Sequence, residues 1–153
     1  MVDFEHWQLP LGRRFRALKL WFVLRRFGAS GVRAHVRNGV ALRRVAERRA
    51  AAHPLFEAAA PPSLSLLCFR LRARSNEDQH ALLRAVKATG KCFVIHTKLG
   101  GRVVLRMACG GAEQTPAHVE AAWDVIEAEA ERLFGKDGGG AATGTAAAAD
   151  AES

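Results

Sequence analysis

Two glycines between apolar runs constrain this chain most. Phe93-Val94-Ile95-His96-Thr97-Lys98-Leu99 and Arg102-Val103-Val104-Leu105-Arg106-Met107 are both rich in strand formers, and only Gly100-Gly101 separates them. A two-residue hairpin loop needs positive φ, which glycine adopts without a steric penalty. The glycine pair therefore predicts an antiparallel hairpin and its register, with Leu99 facing Arg102, Thr97 facing Val104 and Ile95 facing Arg106. Side chains alternate along a strand, so Val103, Leu105 and Met107 share a face with Val94 and His96. His96 reads there as a core or chemically neutral side chain rather than a ligand. A lone hairpin is marginal in water, so the rest of the chain must supply further strands and helices.

Those elements can be read in order. Pro10 suits the first turn of a helix, since its missing N–H is no loss there. Apolar residues at Leu11, Phe15, Leu18 and Phe22 continue at helical spacing, which predicts a helix over 10–27 ending at Gly28. Leu20, Trp21, Val23 and Leu24 make its far end apolar on most sides, so that end is expected to be buried. A second helix, capped by Ser30, runs from Gly31 to Ala52 with Val32, Val36, Val40 and Ala41 as its apolar side. Arg33, Arg37, Arg44 and Arg48 form a basic stripe on it, which reads as a solvated face rather than a track for phosphates. Pro54 ends that helix. Phe56–Ala60 is a weak strand, and Ser63–Arg72, with Leu66-Leu67-Cys68-Phe69, a stronger one. Ser75 or Asn76 caps a third helix whose apolar side is Leu82, Leu83 and Val86. Thr115-Pro116 opens the last helix, with Val119, Trp123, Ile126, Ala130 and Leu133 inside and Glu120, Asp124, Glu127, Glu129 and Glu131 outside. The fold class is α+β, a small antiparallel sheet covered by helices. Residues 1–9 read as an extended lead-in, 10–135 as one domain, and 136–153 as a disordered Gly/Ala-rich tail.

One local conflict points to a ligand. Arg13, Arg14 and Arg16 crowd the start of the first helix, where the helix dipole disfavours cations by roughly 0.3–1 kcal/mol each. Anions bind well at such an end, so the arginines suggest that a carboxylate or another anion sits there.

The same stretch carries a resemblance. The run WQLPLGRRFRALKLWFVLRRFG resembles the start of the C-terminal part of the group II pyridoxal-phosphate decarboxylases, in their aromatic-L-amino-acid, tyrosine and histidine decarboxylase branch. Phe56-Glu57, Leu67-Cys68-Phe69-Arg70-Leu71, Val103-Val104-Leu105-Arg106 and Thr115-Pro116-Ala117-His118-Val119 with Trp123 follow in the family's order. The resemblance covers about Asp3 to Phe134. It implies the small C-terminal domain of a fold-type I pyridoxal-phosphate enzyme, pyridoxal 5'-phosphate as cofactor of the complete enzyme, an aromatic L-amino acid as substrate, release of carbon dioxide to give an amine, and a homodimer. Such chemistry needs a Schiff-base lysine and a carboxylate at the pyridinium nitrogen. The family's lysine directly follows a histidine. None of Lys19, Lys87, Lys91, Lys98 and Lys136 does, and the chain has no tyrosine for the family's mobile loop. The chain alone is therefore expected to be inactive. In the glutamate decarboxylase branch the arginine after the helix-opening glycine contacts the substrate carboxylate. The match here is Arg13, after Gly12. Arg14 and Arg16 read as structural, and Trp7 and Trp21 as packing residues.

Composition narrows the alternatives. A net charge of +8 raises nucleic acid as a partner, but no aromatic interleaves the arginine stripe, so base stacking is unsupported. A non-catalytic subunit that docks on a full-length decarboxylase is the other alternative. The three cysteines, Cys68, Cys92 and Cys109, suit neither a metal motif nor a disulfide framework, and no metal site is expected. The histidines are scattered without a zinc spacing. Asp3, Glu5 and His6 stand where a signal peptide would be apolar, and no apolar run approaches the roughly 20 residues of a membrane span. A cytoplasmic location is the expectation.

Overall fold

The computed structural model describes residues 14–135. The lead-in 1–9, Pro10, Arg13 and the segment 136–153 lie outside the described residues. The elements are α1 (Ala17–Ala52), β1 (Phe56–Ala58), β2 (Leu66–Leu71), α2 (Asn76–Ala88), β3 (Ile95–Leu99), β4 (Arg102–Ala108) and α3 (Pro116–Phe134). The strands form one antiparallel sheet in the order β1-β2-β4-β3.

The hairpin has the register its turn dictates. Ile95 pairs with Arg106, Thr97 with Val104 and Leu99 with Arg102, and Gly100 and Gly101 both take positive φ. α2 is fastened to this turn: Asn76 Nδ2 donates to the Gly101 carbonyl at 3.1 Å and Asn76 Oδ1 accepts from the Val103 N–H at 2.8 Å. Ser75 caps α2, its Oγ accepting from Asp78 N–H at 3.1 Å while Asp78 Oδ2 accepts from Ser75 N–H at 3.0 Å. One turn on, buried Gln79 closes both backbone groups of Leu71 at the end of β2.

Helices cover one face of the sheet. Leu67, Phe69 and Leu71 of β2 and Leu105 and Met107 of β4 point into a core completed by Leu82 and Val86 of α2 and Val119, Trp123, Ile126 and Ala130 of α3. Trp123 lies at its centre, fully buried, 5.5 Å from the Phe56 ring and 4.9 Å from the Phe69 ring. Phe134, rather than Leu133, closes the buried stripe of α3.

α1 departs from the expectation twice. Gly28 (φ 64, ψ 175) interrupts its helical backbone, a conformation open only to glycine, so the expected stop at Gly28 is a bend between two helical halves. Within the described residues the first half begins at Ala17, which places Arg14 and Arg16 ahead of the helix rather than in its first turn. Its apolar end is not buried in this chain: Trp21, Phe22 and Phe27 are each more than half exposed. The second half buries Gly39, Leu42, Arg43, Ala46 and Ala50, while Val36 and Ala41 are exposed. The reason is close approach. A Cβ on Gly39 would sit 2.7 Å from the Cys109 carbonyl, so the helix meets the sheet through small residues, and the valines stand to the side.

Candidate functional site

Arg13, the residue that the sequence assigns to a substrate carboxylate, lies outside the described residues. Its neighbours Arg14 and Arg16 are exposed, with no ion-pair partner among the described residues. Trp21 is exposed and meets Phe22 edge-on at 5.1 Å. The stripe Arg33, Arg37, Arg44 and Arg48 is solvent-facing throughout. His96 is not a core residue. It shares the helix-covered face, as its register requires, but β3 is an edge strand, so the ring is exposed and meets His80 of α2 edge-on at 4.9 Å.

Three arginines to which the sequence assigned no role of their own do specific work. Arg49 reaches from α1 to the acidic side of α3. It donates to Glu120 at 2.6 Å, Asp124 at 2.8 Å and Glu127 at 2.6 and 3.1 Å. Its hydrogen bonds to Glu127, then to Asp124 and Glu120, hold its pKa above the ordinary guanidinium value. The spacing of those acids on one helix face was legible; the cation they meet was not. Arg43 is buried, pairs with Glu47 and donates from Nε to the Leu64 carbonyl at 3.0 Å. That bond holds a loop residue whose φ is +46°.

The third, Arg70, lies on the sheet face opposite the helices. It is only 5% exposed. Its Nη2 donates to the Arg74 carbonyl at 2.6 Å, and its Nε is 3.5 Å from Glu57 Oε1. Arg102 Nη2 donates to that same carboxylate oxygen at 2.9 Å. Arg70 Nη1 is buried with no partner among the described residues. Thiols flank these surfaces: Cys68 and Cys92 are half-buried and Cys109 is buried, and burial raises the pKa of Cys92 and Cys109, offset at Cys109 by Arg43.

Two cavities lie along α1, one beside its first half, between Phe15 and Leu24, and one at the bend. The second, of about 510 Å³, is lined by Val23, Phe27, Val32, His35, Asn38 and Ala112 among others. Neither a lysine nor an arginine lines it. Lys19, Lys87, Lys91 and Lys98 are all exposed, and Lys87 lies over the Phe93 ring. The described residues therefore do not by themselves fit a pyridoxal phosphate: they provide no enclosed amine and no phosphate cradle beside one. Among the described residues there is also no cluster of three or more His, Cys, Asp or Glu placed for a metal ion, and no helix is long and apolar enough to cross a membrane.

Known proteins supply the context. The pyridoxal-dependent decarboxylase conserved domain matches residues 1–72. The chain is 41% identical to a phenylacetaldehyde synthase of Arabidopsis thaliana over 142 residues, 89% of this chain and 29% of that protein. It is 41% identical to tyrosine decarboxylase 2 of Narcissus pseudonarcissus over 145 residues, 90% of this chain and 29% of that protein. Among solved structures, the tryptophan decarboxylase of Catharanthus roseus in complex with L-tryptophan superposes with a TM-score of 0.76 at 36% identity, over 86% of this chain and 29% of that one. The chain thus spans less than a third of the length of the relatives it matches. Pyridoxal phosphate is the cofactor of the complete enzymes of this family. With a three-helix, four-strand α+β fold among its described residues and a sequence match across nearly all of its length, the chain is similar to a C-terminal part of the group II pyridoxal-dependent decarboxylases, in their aromatic-amino-acid branch.

Proposed function

We propose that this chain is the C-terminal portion of a pyridoxal-phosphate-dependent aromatic L-amino-acid decarboxylase, a carboxy-lyase that releases carbon dioxide and yields an amine. The match at about 40% identity across nine-tenths of the chain carries this reading. Among the described residues no lysine is placed for a Schiff base, and the chain alone is inactive. In the complete enzyme Arg13 holds the substrate carboxylate, because a guanidinium grips a carboxylate through two parallel hydrogen bonds. The complete enzyme is a cytoplasmic homodimer, with residues 10–135 forming its small domain and 136–153 a tail. The exposed apolar half-helix Ala17–Phe27 favours a second reading beside it, a chain that works by docking on a decarboxylase body.

A graft tests the proposal. This chain replaces the matching segment of the Catharanthus roseus tryptophan decarboxylase, and carbon dioxide, amine and aldehyde are all measured, since one relative is named as an aldehyde synthase. Restored decarboxylation, lost on Arg13→Met with cofactor still bound, is the expected result. A graft that takes up cofactor and turns over normally with Arg13→Met removes Arg13 from the site. A graft that never takes up cofactor refutes the assignment of the chain.

A further inference from the structure

Charge is not spread evenly over this molecule. α1 carries nine lysines and arginines against one acid, Glu47, a net charge of +8. The whole chain also carries +8, so the residues outside α1 balance to zero. The acids that reach α1 are spent within the fold. Glu47 pairs with buried Arg43, and Glu120, Asp124 and Glu127 of α3 close on Arg49. Arg33, Arg37, Arg44 and Arg48 are exposed and have no ion-pair partner among the described residues. At about 100° of turn and 1.5 Å of rise per residue, the four lie within roughly 60° of arc in a row about 22 Å long. The row stands opposite Gly39, Leu42 and Ala46, which are buried, so it faces straight away from the body of the molecule. On spacing alone such a row is a solvated face. Within the one element that holds the entire charge excess, and with no acid left to meet it, the row is a surface for an anion.

We infer that this face of α1 binds double-stranded nucleic acid through its phosphates, without reading bases. The inference does not draw on the function proposed above. A duplex carries about one negative charge per 1.7 Å of its axis, so a row about 22 Å long meets phosphates along its whole length. The carboxylates of a folded protein would have to match four fixed positions. Guanidiniums also suit phosphate oxygens, which they grip through two parallel hydrogen bonds. The side chains beside the arginines decide among anionic partners. Ala34, Ala41 and Ala51 flank the row and are exposed, and Val36 is the one larger apolar side chain exposed between residues 33 and 52. A membrane surface needs a broad apolar face beside the cations, and a single strand needs aromatics on which its bases stack. This row has neither. Its small flanks let the helix come close to the wall of a groove.

Fluorescence anisotropy of the full chain with a labelled DNA duplex of about 20 base pairs and mixed sequence tests this. Four phosphate contacts predict a salt slope of about −3.6, so affinity should fall about 150-fold between roughly 50 and 200 mM salt. Arg44→Gln with Arg48→Gln should halve the slope and weaken binding at low salt at least about tenfold. The unfolding midpoint should stay where it is, because glutamine and arginine have similar helix propensities. Arg84→Gln with Lys98→Gln removes the same charge from α2 and β3, where both side chains are exposed, and should leave the affinity within about threefold. Arg33→Gln with Arg37→Gln repeats the test if the first pair disturbs folding. A duplex bound by the parent no more tightly than by the stripe variants overturns the inference. So does an equal loss in the Arg84 and Lys98 variant, which would leave the stripe a solvated face and the effect one of net charge. Phosphatidylserine vesicles bound more tightly than the duplex, with that binding lost in the stripe variants, overturn it in favour of a membrane. Poly-L-glutamate bound as tightly as the duplex overturns it in favour of an acidic protein.

Discussion

Trp123 separates packing from polar satisfaction at the centre of the core. Its indole is fully buried between Phe56 and Phe69, yet Nε1 has no hydrogen-bond partner among the described residues. Trp123→Ala removes the whole ring. Large aromatic-to-alanine changes in a core cost about 3–5 kcal/mol, and two lost ring contacts place this one near the upper end. A domain this small has roughly 5–15 kcal/mol in all, so the alanine variant should lose about a third or more of the parent's stability. Trp123→Phe keeps most of the ring contact and leaves a smaller cavity, at about 1–2 kcal/mol. It also deletes a buried unpaired N–H, whose desolvation costs about 1–3 kcal/mol, so the two effects nearly cancel. Urea unfolding followed by far-UV circular dichroism should give the phenylalanine variant a stability within about 1 kcal/mol of the parent, with an unchanged m-value. A phenylalanine variant as damaged as the alanine one would refute the reasoning, because it would mean that the indole N–H contributes a real bond.

Arg49→Met should cost about 1–3 kcal/mol, since it strands Glu120, Asp124 and Glu127 against one another; the pairs are partly solvent-exposed, and 1 M salt should shrink the loss. Gly39→Ala gains about 1 kcal/mol of helix propensity but drives a Cβ to 2.7 Å from the Cys109 carbonyl, so calorimetry should show a net loss of about 1 kcal/mol rather than a gain. Burial raises the Cys109 thiol pKa above its ordinary 9.0, with Arg43 opposing. A group that the fold keeps protonated contributes stability that is complete below pH 9.0 and is lost as the pH climbs from there towards the folded value. The unfolding midpoint should therefore fall as the pH rises above about 9, and Cys109→Ala should make that fall shallower.

How far the sequence carries these results differs by element. The hairpin is legible to the residue because Gly100-Gly101 admits one tight turn, and period-two alternation then fixes each facing pair. Trp123, Ile126 and Ala130 are legible for the same kind of reason, since α3 has a clean apolar stripe. The buried side of α1 is not. Its contacts are made by Gly39, Ala46 and Ala50 with one arginine, residues that hydropathy does not mark as core, and the choice among faces came from the close approach of two backbones. The apolar half-helix at Trp21 was legible as a surface to be buried, but it stays exposed among the described residues. Arg49 and Arg70 were invisible because their meaning depends on partners 71 to 78 residues away and on the opposite strand. Arg13 remains what the sequence alone made it, a guanidinium proposed for a substrate carboxylate.

The central claim is that this chain is a C-terminal piece of a decarboxylase without an active site of its own. The purified chain, incubated with pyridoxal phosphate and L-tyrosine or L-tryptophan, tests it through carbon dioxide release and borohydride trapping mapped by mass spectrometry. The account predicts no carbon dioxide above the blank and only scattered adducts over the exposed Lys19, Lys87, Lys91 and Lys98. Carbon dioxide release together with stoichiometric trapping on one lysine would contradict it.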